Sequence, residues 1–274
     1  LLDGTLGKWK GYPYKIELRD GAEPYHARAY SIPHAYELTF KMEVERLVTV
    51  GVLRKVNRSE WAAPTFLIPK KDKTVRFISD FRQLNKRIKR KPYPIPKIQD
   101  MLLKLEGFKY ATSLDLNMGY YAMPLSAKSK KYCVISLPSG LYQYIMLPMG
   151  ILVAADIFQE AMGGLFLDLE SVIVYIDDII ILGNSSLEDH LKDVAEVLKR
   201  LSNKGMQINS TKSSWSVSEV DYLGFTINWN YKAGWVEISI PGYIKIVLRE
   251  FQHSFPQRFQ SAPHKWAEQI YSKT

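Results

Sequence analysis

Cysteine is almost missing from this 274-residue sequence: Cys133 stands alone. That excludes an intramolecular disulfide and any cysteine-cluster zinc site, and it points to a reducing compartment. No N-terminal apolar run provides a secretion signal, so the sequons at Asn57, Asn184 and Asn209 are expected to be coincidental. The longest apolar run, 172–182, is broken by two aspartates and is too short to span a bilayer, so no membrane partner is expected. Internal repeats, low-complexity tracts, a glycine-rich phosphate loop and a recognisable Ser-His-Asp arrangement are also missing. The expectation is a soluble intracellular globular protein.

What is abundant is positive charge. Lysine and arginine number 37 against 28 acidic residues, a formal excess of +9. Such an excess suits a polyanion or an anionic surface, although it also serves plain solubility. It is concentrated in Lys70–Lys91, where ten basic side chains (70, 71, 73, 76, 82, 86, 87, 89, 90 and 91) face only Asp72 and Asp80.

Periodicity gives the coarse architecture. The first thirty-odd residues, rich in Gly, Pro and Tyr, read as an extended arm. Phe40, Val44, Leu47 and Val48 predict a helix over Glu37–Val50, stopped by Gly51. Pro64–Ile68 and Val75–Ile78 flank a polar turn at 71–74, predicting a hairpin with a basic tip. Pro92, Pro94 and Pro96 delay regular structure until a helix that runs to Gly107. A strand over Tyr110–Leu116, a helix over Ala154–Leu167 and strands over Val172–Ile176 and Ile179–Leu182 follow. Ser186 caps a helix carrying Leu187, Leu191, Val194, Leu198 and Leu201, closed by Gly205. Strands near Val220–Ile227 and Trp235–Ile240 and a helix from Gly242 to Phe251 complete an α+β pattern.

The chemistry is carried by three carboxylates in apolar company. Asp177 and Asp178 interrupt a β-branched run, and Asp115 lies between Leu114 and Leu116 at a strand end. Burying charge is costly unless it is paired, hydrogen-bonded or bound to a cation. A hairpin turn would explain the pair structurally, since Asp is common in turns, but no glycine accompanies it. A strand-end cap would explain Asp115. Magnesium, which takes oxygen ligands and keeps several waters, would explain all three.

Tyr175-Ile-Asp-Asp178 with Leu114-Asp-Leu116 resembles the two catalytic motifs of reverse transcriptases. Further segments occur in that family's order: Ser59-Glu-Trp-Ala-Ala-Pro64, Pro69-Lys-Lys-Asp72, Asp80-Phe-Arg-Gln-Leu-Asn85, Tyr93-Pro-Ile-Pro96, Leu147-Pro-Met-Gly150, Phe158-Gln159, Glu188-Asp-His190, Asn209 with Lys212, and Tyr222-Leu-Gly-Phe225. The ordered series covers roughly residues 1–250. It is similar to gypsy-type long-terminal-repeat retrotransposons, with retroviral enzymes as more distant relatives.

The resemblance implies RNA- and DNA-templated DNA synthesis by two-metal phosphoryl transfer, with magnesium, or manganese in its place, held by Asp115, Asp177, Asp178 and the carbonyl of Leu116. It assigns Lys70 and Arg76 to the incoming triphosphate. Tyr120 is assigned to the sugar, excluding a ribose 2′-hydroxyl, and Met149 to the nucleotide's surroundings. Arg82 and the 86–91 run would contact template backbone, Tyr175 would lie along template and primer, and Lys212 would either touch their phosphates or cap the local fold. Tyr222, Leu223 and Gly224 would form a hairpin that grips the primer 3′ end, with glycine allowing close approach. The implied partners are an RNA or DNA template-primer and dNTPs.

The implied fold is an α+β right hand with a ferredoxin-like antiparallel palm sheet. After an arm over 1–29, fingers would take 30–110 and 126–155 and palm 111–125 and 156–230, leaving 231–274 to a partial thumb or connection. Relatives of this kind continue into ribonuclease H within a polyprotein. Nothing after Tyr243 offers that constellation, so the sequence looks like a fragment of an intracellular retroelement protein, in cytoplasmic particles or the nucleus. Two departures stand out. Tyr121-Ala-Met-Pro124 replaces the usual polar residues after Gly119-Tyr120, and Ala155 occupies a position that usually holds proline. They support an alternative, a degenerate module that binds nucleic acid without synthesis.

Overall fold

The computed structural model describes residues 1–69, 75–104, 107–230 and 235–239. Lys70, the hairpin tip and most of 231–274, including the expected thumb helix, lie outside the described residues. Along the chain run α1 (Glu37–Thr49), β1 (Leu53–Val56), β2 (Ala63–Pro69), β3 (Val75–Ser79), α2 (Arg82–Asn85) and α3 (Ile98–Leu103). Next come β4 (Tyr110–Asp115), α4 (Ala127–Lys130), β5 (Val134–Leu137), β6 (Gly140–Tyr144), α5 (Ala154–Leu165), β7 (Val172–Tyr175), β8 (Asp178–Gly183) and α6 (Leu187–Asn203). Strands β9 (Ser214–Val217), β10 (Glu219–Tyr222), β11 (Phe225–Asn230) and β12 (Trp235–Ser239) finish the order.

Three sheets form. One, ordered β1-β6-β5-β2-β3, is antiparallel except where β2 lies parallel to β5. The second, β7-β8-β4-β9, is wholly antiparallel. In chain order it reads β4, α5, β7, β8, α6, β9, with strand order fourth-first-third-second, which is the split βαβ ferredoxin-like topology. The third sheet is the meander β10-β11-β12. The mixed α+β architecture with an antiparallel ferredoxin-like sheet is therefore present.

One continuous core joins the first two sheets. Phe40 and Leu47 of α1, Ile135 and Tyr144 of the five-stranded sheet, Leu114 and Ile181 of the four-stranded sheet, and Val197 and Leu201 of α6 belong to a single buried cluster. A second cluster lies beneath the meander and contains Met101, Phe108, Ile173, Ile180, Val220, Tyr222 and Ile227.

Several expectations change. The expected helix ending at Gly107 is assigned only over Ile98–Leu103, with 105–106 outside the described residues. The β7–β8 turn is Ile176-Asp177 rather than the aspartate pair, because Asp178 already pairs with Tyr175 as the first residue of β8. The Val220–Ile227 stretch is divided by the hairpin that the resemblance implied, turning at Leu223-Gly224. On α6, Leu187 and Leu191 are 43% and 49% exposed, while His190 is buried. The helix rotates that way because Gly183 leaves room for the imidazole: a Cβ on Gly183 would come within 2.7 Å of His190 Cβ.

Candidate active site

Antiparallel register brings the carboxylates into one neighbourhood. Asp115, last in β4, lies directly opposite Asp178, first in β8. Asp177 precedes Asp178 in the turn, so all three stand at one edge of the sheet. Their charges act on each other. Burial, then Asp177 and Asp115, push the Asp178 carboxyl up to about 6, against the pull of Lys212. Asp115 is also raised, by burial and Asp177, with Lys212 opposing. Lys212 Nζ lies 3.8 Å from Asp115 Oδ2 and is the cation placed to relieve the cluster.

The backbone around Asp115 is fixed by the turn that follows α6. Asp115 N–H donates to Ser213 Oγ (3.2 Å), and Ser213 Oγ–H donates to the carbonyl of Asn209 (2.8 Å). The Asn209 N–H returns a bond to the Asp115 carbonyl at 2.9 Å.

The turn carrying Asp177 is strained and braced. Ile176 has φ of +57°, in the left-handed region that β-branched residues avoid. That costs about 1–2 kcal/mol. Gln159 of α5, 3% exposed, holds both sides of the turn. Its Oε1 accepts from Ile176 N–H at 2.7 Å, and its Nε2 donates to the Val174 carbonyl at 3.1 Å. Two such bonds contribute about 1 kcal/mol each, enough to offset the strain. Gln159 belonged to a recognised segment without a role.

Asp115, Asp177 and Asp178 carry oxygen donors of the kind that hard divalent cations prefer. Among the described residues no group of three His, Cys, Asp or Glu side chains forms a ready-made metal cage. Magnesium requires none, since phosphates and water normally complete its shell.

Tyr120 is half-buried, packed against Phe158 with centroids 5.0 Å apart. Burial and the nearby charge of Asp177 raise its phenol. Met149 is 54% exposed on the loop after β6. Asn85, another amide without an assigned role, anchors that loop: its Nδ2 donates to the Gly150 carbonyl (2.9 Å) and its Oδ1 accepts from Leu152 N–H (2.8 Å). Arg76 is exposed on β3, opposite Ile68.

The basic run does not act as one patch. Arg82 forks onto Asp80 (2.8 and 2.6 Å), Arg90 forks onto buried Asp156, and Lys91 pairs with Glu17. Arg87 donates to the Glu23 and Gln83 carbonyls and lies over the Tyr25 ring. These pairings tie the run to the arm and to α5.

At the expected primer grip, Leu223 (φ +53°) and Gly224 (φ +82°) form a two-residue hairpin turn with open space beside Gly224. Positive φ at both positions is what such a turn needs. Tyr222 itself points inward, 2% exposed, with a phenol oxygen that has no hydrogen-bond partner. As placed, it supports the hairpin and does not face nucleic acid. Tyr175 is half-buried against the same cluster.

The departure at Tyr121 is accommodated. Its ring stacks on Tyr144, and Tyr144 Oη lies 3.0 Å from Ser79 Oγ. Helix α5 begins at Ala154 without a proline.

Comparison with known proteins gives consistent matches. Residues 68–227 match the family model described as reverse transcriptase (RNA-dependent DNA polymerase). The Tf2-3 and Tf2-4 transposon polyproteins of Schizosaccharomyces pombe are each 29% identical over 221 residues, 80% of this chain. The chain spans 16% of the length of those relatives. Among solved structures, the foamy viral protease-reverse transcriptase in complex with RNA/DNA hybrid superposes with a TM-score of 0.81 at 24% identity, covering 93% of this chain and 33% of that one. The form in complex with double-stranded DNA gives 0.80 at 25% identity, over 93% and 43% of the two chains.

Proposed function

The chain belongs to the reverse transcriptase family, and from that premise we propose that it extends a primer 3′ end with dNTPs on an RNA or DNA template. The observation that carries this is the pairing of Asp115 with Asp178 across β4 and β8, with Asp177 in the adjoining turn. In this reading the five-stranded sheet belongs to the fingers and the four-stranded sheet to the palm. Asp115, Asp177, Asp178 and the Leu116 carbonyl would hold two magnesium ions, or manganese in their place. When bound, the ions lower the pKa of the primer hydroxyl and neutralise charge on the leaving pyrophosphate.

The remaining residues position the reactants. Tyr120 supports the sugar and disfavours a 2′-hydroxyl, and Met149, on the loop anchored by Asn85, packs beside the base. Arg76 offers a planar fork to phosphate. Leu223 and Gly224 approach the primer, and Lys212 balances charge at Asp115 and lies along the primer strand. Lys86 and Lys89 supply sequence-independent template contacts. The setting proposed is an intracellular polyprotein that includes ribonuclease H.

The test is incorporation on a primed homopolymer with magnesium and, separately, manganese. Wild type should extend the primer and Asp177→Asn should lose at least two to three orders of magnitude, in line with loss of a charge-stabilising group. Equal incorporation by the two proteins would sink the proposal. Salt-dependent RNA binding without extension would instead favour the non-catalytic module.

A further inference from the structure

The segment 115–122 carries Asp115, the Leu116 carbonyl and Tyr120, yet little regular structure holds it. Beyond Asp115 only an isolated bridge of Leu116 to Ile208 and an Asn117 N–H bond to the Gln207 carbonyl (2.9 Å) continue the pairing; the chain then passes through Met118 at φ +51° and closes in a 3-10 turn over Gly119–Ala122. Its position must be set by what lies against it.

Residues 1–10 lie against it. Asn117 Nδ2 donates to two successive carbonyls of this arm, Gly4 (3.0 Å) and Thr5 (2.8 Å). At the far end of the segment the Ala122 carbonyl accepts from Trp9 N–H at 2.9 Å. The arm is in turn fastened to the chain after α6: Lys8 N–H donates to Gly205 O (2.7 Å), Lys10 N–H to Lys204 O (2.8 Å), and Ile208 N–H to Leu1 O (2.8 Å). Lys204 Nζ sits 5.5 Å from the Trp9 ring centroid. Leu1, Leu6 and Trp9 pack on the core.

Gly205 is required for this fastening. Its φ is +75°, and a Cβ there would fall 2.1 Å from the backbone oxygen of Lys8. No side chain can occupy that position while the arm stays in place.

We infer that residues 1–10 act as a strap that sets the position of the 115–122 segment, with Asn117 as the positioning residue joining strap to site. The inference rests on the polymerase reading for its catalytic consequence, but the strap itself is a statement about geometry. Asn117 touches none of the reacting groups. It acts by holding the turn that presents Leu116 and Tyr120.

The experiment compares wild type, Asn117→Ala and Gly205→Ala in the full chain. Hydrogen exchange of the peptide covering 115–122 reads the strap directly. Manganese affinity by electron paramagnetic resonance and single-nucleotide incorporation read its consequence. Both variants should exchange faster there and bind manganese about tenfold more weakly, as is usual when outer contacts to a metal site are lost. They should also lower kcat by a similar factor, while KM for template-primer stays unchanged because the basic residues are untouched. Should Gly205→Ala fail to fold, Asn117→Ala decides alone. Wild-type exchange, manganese affinity and kcat in Asn117→Ala would overturn the inference. A wild-type protein that incorporates nothing overturns the polymerase reading; exchange still decides the strap, and unchanged exchange rejects it.

Discussion

Asp178 is a group whose working charge opposes folding. Its folded pKa of about 6 lies above the ordinary carboxylate value near 4. Its favourable contribution is therefore complete below about pH 4 and lost as pH rises through about 6. Without divalent cations, a melting series should show stability falling across that window. Asp178→Asn should remove the penalty and stabilise the protein at pH 7 by about 1–2 kcal/mol, allowing for partial solvation, while abolishing incorporation. A less stable Asp178→Asn protein at pH 7 would contradict this account. Gln159→Leu tests the neighbouring brace. Loss of two bonds to a strained turn should cost about 1–3 kcal/mol in thermal unfolding and lower kcat tenfold or more. The aspartates were legible in the sequence because charge among β-branched residues needs explaining. Gln159, Asn85 and Asn117 were not, because an amide shows its importance only through the backbone groups it meets, and these lie across the fold.

Elements with strong periodicity were legible to within a few residues: α1, α5, the caps of α6 and the strand pair around the aspartates. The face of α6 was not. Leucine spacing placed Leu187 and Leu191 inward, but the site at the end of β8 is filled by His190, whose Nε2 meets Thr112 Oγ1 at 2.9 Å. That choice depends on Gly183, and no periodicity within one helix reveals a gap in a neighbouring strand. Gly183→Ala should force the imidazole aside and cost about 1–3 kcal/mol, as overpacking usually does. A wild-type melting temperature would show that the helix slides freely. The short strands β1, β5, β6 and β9, four or five residues each, gave too few alternations to be placed from sequence. Their partners, not their own composition, define them.

Across the whole chain the net charge of +9 suits a polyanion, but it is not gathered into one patch. Arg82, Arg87, Arg90 and Lys91 are committed to internal partners; with Arg76 proposed for the triphosphate, Lys86 and Lys89 are the remaining members of that stretch, among the described residues, to meet a template phosphate. Replacing either by Ala should reduce the slope of log Kobs against log salt by about one unit for duplex binding. Arg90→Ala should instead lower stability, since it strips the partner from Asp156, and leave the slope close to wild type. Equal slopes for all three variants would reject this division. The uninterrupted core from α1 through both sheets to α6 carries a thermodynamic consequence of its own. Parts that share buried side chains lose them together, so calorimetry should record one endotherm for the described body, not separate transitions for its two halves. Cutting the chain between them would expose apolar surface on each piece, and neither should hold its shape in isolation.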